Sequence, residues 1–295
     1  MQFQRLSLRL GLGFLFLFAI GCSSQESAES PVLRFSAIPD DNTSELNRKF
    51  QPVARYLSEQ LGVEVEYVAS ADYGASVEMF KNGDIHLAWF GGLTGVQARQ
   101  GVPGAKAIAQ GVEDPKYFSY FIANTSSGLR FSESFPNEIA GRTFTFGSPK
   151  STSGRLMPEH FIREATGKDP RSFFKKEFGF SGSHDKTIEQ VAAGAYEVGA
   201  VSYRTYDAWV AEGKVDPANV QVIWKTPFYA DYNFTAHPAL EERFGEGFTA
   251  RLTEVILEIS DPDLLEAFRR TGFIPAKNED FRAILEVARS LRMAR

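Results

Sequence analysis

One cysteine, Cys22, stands in 295 residues. With no second thiol, no disulfide within the chain can form, and no cysteine cluster exists to hold zinc. An H-E-x-x-H pair, a G-x-x-x-x-G-K-[ST] loop and a G-x-S-x-G elbow are all missing. Zinc hydrolysis, nucleotide chemistry and the usual serine-hydrolase arrangement therefore have no basis in the motifs. There is no basic excess either: 32 Lys and Arg face 37 Asp and Glu, a net charge of −5, which argues against nucleic acid as a partner. Nor is there a long apolar run. The uncharged stretch Leu10–Ile20 falls well short of the roughly 20 residues a membrane-spanning helix needs.

That short run sits behind Arg5 and Arg9 and ends in Phe18-Ala19-Ile20-Gly21-Cys22. A basic head and a brief apolar stretch read as a secretory signal peptide over residues 1–21. Its end resembles the bacterial lipobox, in which the cysteine becomes the new N-terminus and carries the lipids, so Cys22 is expected to be a lipidation site rather than a ligand. Residues 22–31, "CSSQESAESP", are small and polar and read as a flexible tether. Setting aside Arg5 and Arg9 leaves 30 basic residues against 37 acidic ones, a net −7.

From Val32 onward strand and helix patterns alternate. "VLRFSAI" (32–38) reads as a strand. In the following stretch Leu46, Phe50, Val53, Ala54, Leu57 and Leu61 keep a helical stripe, with Asn42 and Glu45 spaced for a capping box, Gly62 as the stop, and Pro52 expected to bend or restart the helix. "VEVEYVA" (63–69) and "DIHLAWF" (84–90) are further strands, separated by a helix that Gly83 closes; Gly91-Gly92 is a turn before another helix. "YFSYFIAN", "RTFTF", "KEFGF" and "EVGAVS" continue the strands, and "NVQVIWKT" (219–226) is the expected last one, followed by long amphipathic helices. Such alternation predicts an α/β fold with mostly parallel sheets and helices on both faces. The organisation suggests two α/β lobes, residues 32–116 plus 228–295 and an inserted 117–227. The aromatic-rich stretches "DPKYFSYF" and "KTPFYADYNF" would be the crossings, with a small-molecule cleft between the lobes.

The stretch "GSPKSTSGRLMPEHF" places Ser151, Thr152 and Ser153 where a helix begins. Free backbone N–H groups and the helix dipole make such a mouth an anion site, while a single Ser or Thr there is equally an ordinary N-cap; both readings stand at this point. "FSGSHDKTIEQ" offers a second mouth with Ser181, Ser183 and His184. Tyr73 in "SADYGAS", Trp89 and Phe90 in "LAWFGG", Tyr203 in "AVSYRTYD" and Asp231 in "YADYNF" complete the candidates. An aspartate in an anion pocket makes sense if the ligand carries a proton or if it orients His184. Ser153, His184 and an aspartate can be drawn as a catalytic triad, yet no local motif supports one.

Three spaced stretches, "DYGASVEMFKNGDIHLAWFG", "GSPKSTSGRLMP" and "FSGSHDKTIEQVAAGAYEVGAVSYRTYD", together resemble the phosphonate/phosphite family of ABC-importer substrate-binding proteins. The resemblance runs from about Val32 to the late 280s. It implies the type II periplasmic-binding-protein fold, two α/β lobes joined by a two-strand hinge around a ligand cleft. It also implies a binding protein rather than an enzyme, with no cofactor and no metal. Within that family the run matching Ser151, Thr152 and Ser153 cradles ligand oxygens, the positions of His184 and Tyr73 are further contacts, and an aromatic matching Phe90 or Trp89 faces the ligand. "TPFYADYN" departs from the family's commoner Pro-rich loop at Asp231. The stretches "IPDDNT", "WFGGLTGVQAR" and "YADYN" are most similar to a selenate-transport branch. The expectation is a lipid-anchored, monomeric protein on the periplasmic side of the cell envelope. It would pass phosphonate, phosphite, selenate or selenite to an ABC permease and its ATPase, with a periplasmic sensor of the same fold as the alternative.

Overall fold

Every side chain from Leu33 to Ala37 except Arg34 is buried, and this run is β1, an interior strand of the first sheet. A computed structural model describes Gln2 and residues 30–295; the signal peptide and Cys22 lie outside the described residues. Helix α1, Thr43–Leu61, buries the stripe Leu46, Phe50, Val53, Ala54, Leu57 and Leu61. Asn42 caps it by accepting from the Ser44 N–H at 2.9 Å, and Gly62 closes it with φ 67°. The expected capping box is only half made, because the Asn42 N–H donates to the Asp41 carboxylate and Glu45 pairs with Arg48 instead. The helix also runs continuously through Pro52. One missing backbone donor is outweighed by the stripe packed on either side of it.

The chain continues with β2 Val65–Tyr67, α2 Tyr73–Asn82, β3 Leu87–Phe90, α3 Gly92–Gly101 and β4 Lys106–Gly111. It then forms β5 Ser119–Asn124, β6 Phe144–Phe146, α4 Met157–Thr166, α5 Pro170–Phe173, β7 Gly179–Phe180, α6 His184–Ala192, β8 Val198–Ser202, α7 Tyr203–Ala211 and β9 Val220–Lys225. Last come β10 Asn233–Ala236, α8 Ala239–Phe244, α9 Phe248–Leu257, α10 Pro262–Phe268, β11 Phe273–Pro275 and α11 Arg282–Ser290.

Two sheets result, ordered β11-β4-β10-β3-β1-β2 and β7-β6-β8-β5-β9. They are mixed rather than mostly parallel: β10 runs antiparallel to β3 and β4, β11 to β4, and β5 to both β8 and β9. The strand expected to be last, β9, is followed by two more. β10 escaped notice because Asn233 and Thr235 break its apolar run; both are buried there, with the Arg99 guanidinium donating to them at 2.8 and 2.7 Å. β4, "KAIAQG", is alanine-rich, a weak strand former that pairing on both edges makes a strand.

Each sheet carries helices and forms an α/β lobe. Tyr117 and Tyr229 sit where the chain crosses between them and exchange both backbone N–H···O bonds at 2.9 Å, a two-strand hinge. Pairing of Asn233 with Phe90 brings the segment before β10 to the carboxyl end of β3. In the other lobe Ser119, at the start of β5, pairs with Ser202, at the end of β8. Open α/β sheets bind ligands at such strand ends.

Candidate functional site

After β6 the chain folds back on itself: Gly147 N–H donates to the Gly154 carbonyl at 2.8 Å, and a Cβ on either glycine would meet the other's Cα at 3.1–3.2 Å. Ser151 caps the turn, its Oγ accepting from Gly154 N–H at 2.9 Å. The next turn is wide. Leu156 N–H donates to the Ser151 carbonyl and Met157 N–H to that of Thr152, five residues back rather than four. Such π-type turns recur at functional sites. Ser151, Thr152 and Ser153 are all buried on it.

The opposite lobe presents its own helix mouth. At the start of α3, Leu93 N–H donates to Thr152 Oγ1 at 3.0 Å and Gly92 N–H to Asp231 Oδ1 at 2.8 Å. Gly91 has no side chain for a steric reason: a Cβ there would lie 3.1 Å from Thr152 Oγ1 and 3.2 Å from Asp231 Oδ1. The other Asp231 oxygen, Oδ2, is buried without a partner. Burial pushes this carboxyl up to about 7, against the opposing pull of the Gly92 N–H and the Thr152 hydroxyl. Asp231 can thus hold a proton or give it up near neutral pH.

Tyr73 opens α2 beside Ser151, and its phenol is likewise buried with no well-formed hydrogen bond, the Ser151 hydroxyl standing near it. Burial, reinforced by the Asp40 charge, lifts it well above the ordinary tyrosine range, so it stays a neutral donor. His184 opens α6. Its Nδ1 accepts from Ser202 N–H at 3.3 Å, which assigns the ring hydrogen to Nε2, 3.3 Å from Ser153 Oγ. Burial lowers its pKa to about 4, so the ring is neutral at pH 7. Its backbone N–H reaches across to the Asp40 carbonyl at 3.3 Å. Ser119 Oγ donates to the Ser153 carbonyl at 2.6 Å and bonds the Tyr229 hydroxyl, which ties the turn to the hinge.

The structure therefore brings together Tyr73, Ser151, Thr152, Ser153, His184 and Asp231. Three other candidates lie elsewhere. Phe90 is fully buried and packs edge-on against Phe80. Trp89, on the opposite face of β3, stacks with Tyr232 and packs on Phe234, Phe268 and Phe273; it borders a cavity of about 10 Å³ behind the site, room for one water. Tyr203 stacks on Phe118 at 3.8 Å beside the hinge. The second hydroxyl mouth is spent locally: Ser181 bonds Thr187 and the Ser183 carbonyl, and the Ser183 hydroxyl bonds Asp185. Asp185 thus does not receive a His184 ring proton, and Ser153, His184 and Asp185 form no triad. Sequence reasoning missed Asp40, Ser119 and Tyr229, which carry no motif, and read Gly91-Gly92 as a turn when Gly91 caps α3 and lies against Thr152 of the other lobe. Among the described residues no cluster of His, Cys, Asp and Glu could hold a metal ion, and no helix is long and apolar enough to cross a membrane.

A neutral set of hydroxyl, imidazole and backbone donors plus one titratable carboxyl suits a compact oxyanion. Residues 35–281 match the family model described as ABC transporter, phosphonate, periplasmic substrate-binding protein. A probable ABC-transporter phosphite-binding protein of Prochlorococcus marinus is 39% identical over 280 residues, 92% of this chain and 94% of that one. A phosphate-import protein of Mycolicibacterium smegmatis is 26% identical, covering 92% and 91%. The solved structure of the Prochlorococcus protein in complex with methylphosphonate superposes with a TM-score of 0.83 over 89% of this chain and 98% of that one, at 39% identity.

Proposed function

We propose, from the premise that the chain belongs to the periplasmic phosphonate-binding family of ABC-transporter substrate-binding proteins, that it closes on one small, singly protonated oxyanion. It is a binding component and not an enzyme, and it works in the periplasm. The lobes are residues 32–116 with 228–295, and 117–227. Ser151, Thr152, Ser153, His184 and Tyr73 donate to the ligand oxygens, and Asp231 shares the ligand's proton. Cys22 anchors the monomer to a membrane by its lipids, and the ligand passes to a permease with its ATPase.

The observation that carries this reading is the pairing of two buried, unpartnered polar atoms, Tyr73 Oη and Asp231 Oδ2, with a hydroxyl-lined helix mouth. Buried polar groups are mostly satisfied, so two such atoms beside one hydroxyl-lined turn favour a place that a ligand completes. The phosphite and methylphosphonate of the relatives fit that chemistry, because each keeps one exchangeable proton near neutral pH. Selenite does too. Selenate and sulfate have none to share, so Asp231 disfavours them.

A thermal-shift panel on the purified protein tests this, with phosphite, methylphosphonate, selenite, selenate and sulfate at millimolar concentration. Phosphite and methylphosphonate should raise Tm by several degrees, a shift that Ser153→Ala with His184→Ala abolishes; selenate and sulfate should leave it unchanged. If no oxyanion shifts Tm, the functional reading fails, and if selenate shifts it most, the assigned role of Asp231 fails.

A further inference from the structure

We infer that Arg270, through its ion pair with Asp114, is the positioning residue of the oxyanion site, setting Asp231 and the two lobe crossings together. The inference rests on the functional reading above. Arg270 follows α10, and its guanidinium grips Asp114 with two bonds, Nε to Oδ2 at 2.9 Å and Nη2 to Oδ1 at 2.7 Å. Its Nη1 donates to the carbonyls of Phe268 and Arg269. The rings of Trp89, Tyr117 and Tyr232 surround it at 5.5, 5.4 and 4.8 Å. Both partners are buried, so the pair is held by geometry and full hydrogen bonding rather than by solvent.

Asp114 connects this pair to the site. It lies just ahead of the first crossing, its Oδ2 also takes the Gly111 N–H at 2.7 Å, and its carbonyl takes the N–H of Asp231 at 3.1 Å. Gly111 leaves no slack, since a Cβ there would stand 2.5 Å from both Arg270 Cδ and Asp114 Oδ2. The ring cage extends the same control to the other lobe. Tyr117 bonds the Ser202 hydroxyl, and the Ser202 N–H holds His184 Nδ1. Tyr232 donates to the Asp40 carboxylate at 2.7 Å, and the Asp40 carbonyl receives the His184 N–H. Both ligand-facing titratable residues, Asp231 and His184, thus hang on groups packed around one arginine.

Charge supplies a readout that packing alone does not move. The groups facing Asp231 are the neutral Tyr73, Tyr117, Tyr229 and Tyr232, together with Asp114 and Arg270; the Gly92 N–H of the α3 mouth and the Thr152 hydroxyl pull its carboxyl down, and Lys150, the charged residue of the hydroxyl turn, lies against Gly74 of α2. Asp114 pushes the Asp231 carboxyl up and Arg270 pulls it down. Removing one or the other should move the pH dependence of binding in opposite directions.

The test is calorimetric titration of methylphosphonate into the purified full-length protein and its Arg270→Gln, Arg270→Lys and Asp114→Asn variants, from pH 5.5 to 8.5. Each variant should bind at least tenfold more weakly at pH 7. The midpoint of the affinity profile should rise in Arg270→Gln, fall in Asp114→Asn and stay nearest the parent in Arg270→Lys; the ligand's own titration is common to all curves. If Arg270→Gln does not fold, the other two variants decide. Midpoints that coincide or move together, or affinities within twofold of the parent, overturn the inference, as does failure of all three to fold, which would make the pair purely structural. A parent protein that binds neither methylphosphonate nor any other oxyanion of the thermal-shift panel sinks the functional reading and this inference with it; if it binds phosphite in place of methylphosphonate, the same titrations are read with phosphite.

Discussion

At the scale of single residues the site is an exercise in keeping charge out. His184 is neutral because burial lowers its pKa to about 4, and Tyr73 is neutral because burial raises its own. The Asp231 carboxyl is held up to about 7 by burial, well above the ordinary aspartate value of 3.8. The folded state therefore binds a proton that the unfolded chain has already released, so this residue makes ligand-free stability fall as pH rises from about 4 through 7. His184 has the opposite slope. The unfolded chain takes up its proton below about 6.5 while the folded state resists, so stability is lost as pH falls from 6.5 towards 4. Asp231→Asn should consequently gain stability over the parent progressively between pH 4 and 7 and level off above, by at most about 4 kcal/mol. Urea denaturation at a series of pH values measures it, and a difference that does not grow with pH would contradict the assigned burial.

Among the elements, the mouth of α3 matters as much as the hydroxyl turn it faces. Gly91 has φ −72°, an ordinary value, so its lack of a side chain answers to space and not to backbone conformation. Gly91→Ala should fold with Tm within a few degrees of the parent and yet lose tenfold or more in affinity for methylphosphonate, because the new methyl meets Thr152 and Asp231. Equal affinity would mean that the two mouths do not close on the ligand as described. The turn after β6 was legible as a helix start from Ser151, Thr152 and Ser153. Its wide form was not, since the five-residue step depends on the Gly147 and Gly154 backbones packing together. The strand β10 was illegible for a related reason: Asn233 and Thr235 are polar in sequence and become buried strand residues only because Arg99, from α3, reaches them.

For the whole molecule the consequence is motion about the Tyr117–Tyr229 hinge. Bonds that join the lobes are Leu93 N–H to Thr152 Oγ1 and His184 N–H to the Asp40 carbonyl at the candidate site, and the Arg204–Glu113 ion pair and the Ser119–Tyr229 hydroxyl bond beside the hinge. A bound ligand is expected to add contacts to both lobes and favour the closed state, as in hinge-bending proteins. Small-angle scattering should give a larger radius of gyration without ligand than with saturating methylphosphonate; an unchanged value would mean that the lobes stay closed when empty. The sequence alone determined most of the strand-helix alternation and singled out Ser151, Thr152, Ser153, His184 and Tyr73 as candidates, because each is written in local periodicity or in a contiguous motif. Only the tertiary structure decided that Trp89, Phe90 and Tyr203 pack against other aromatic rings, that the Asp231 carboxyl is buried, and that Arg270 and Asp114 pair beside it. Burial and charge at a site come from residues 100 or more positions apart in the chain, as Asp114 and Arg270 are at a separation of 156, and no local pattern carries that distance.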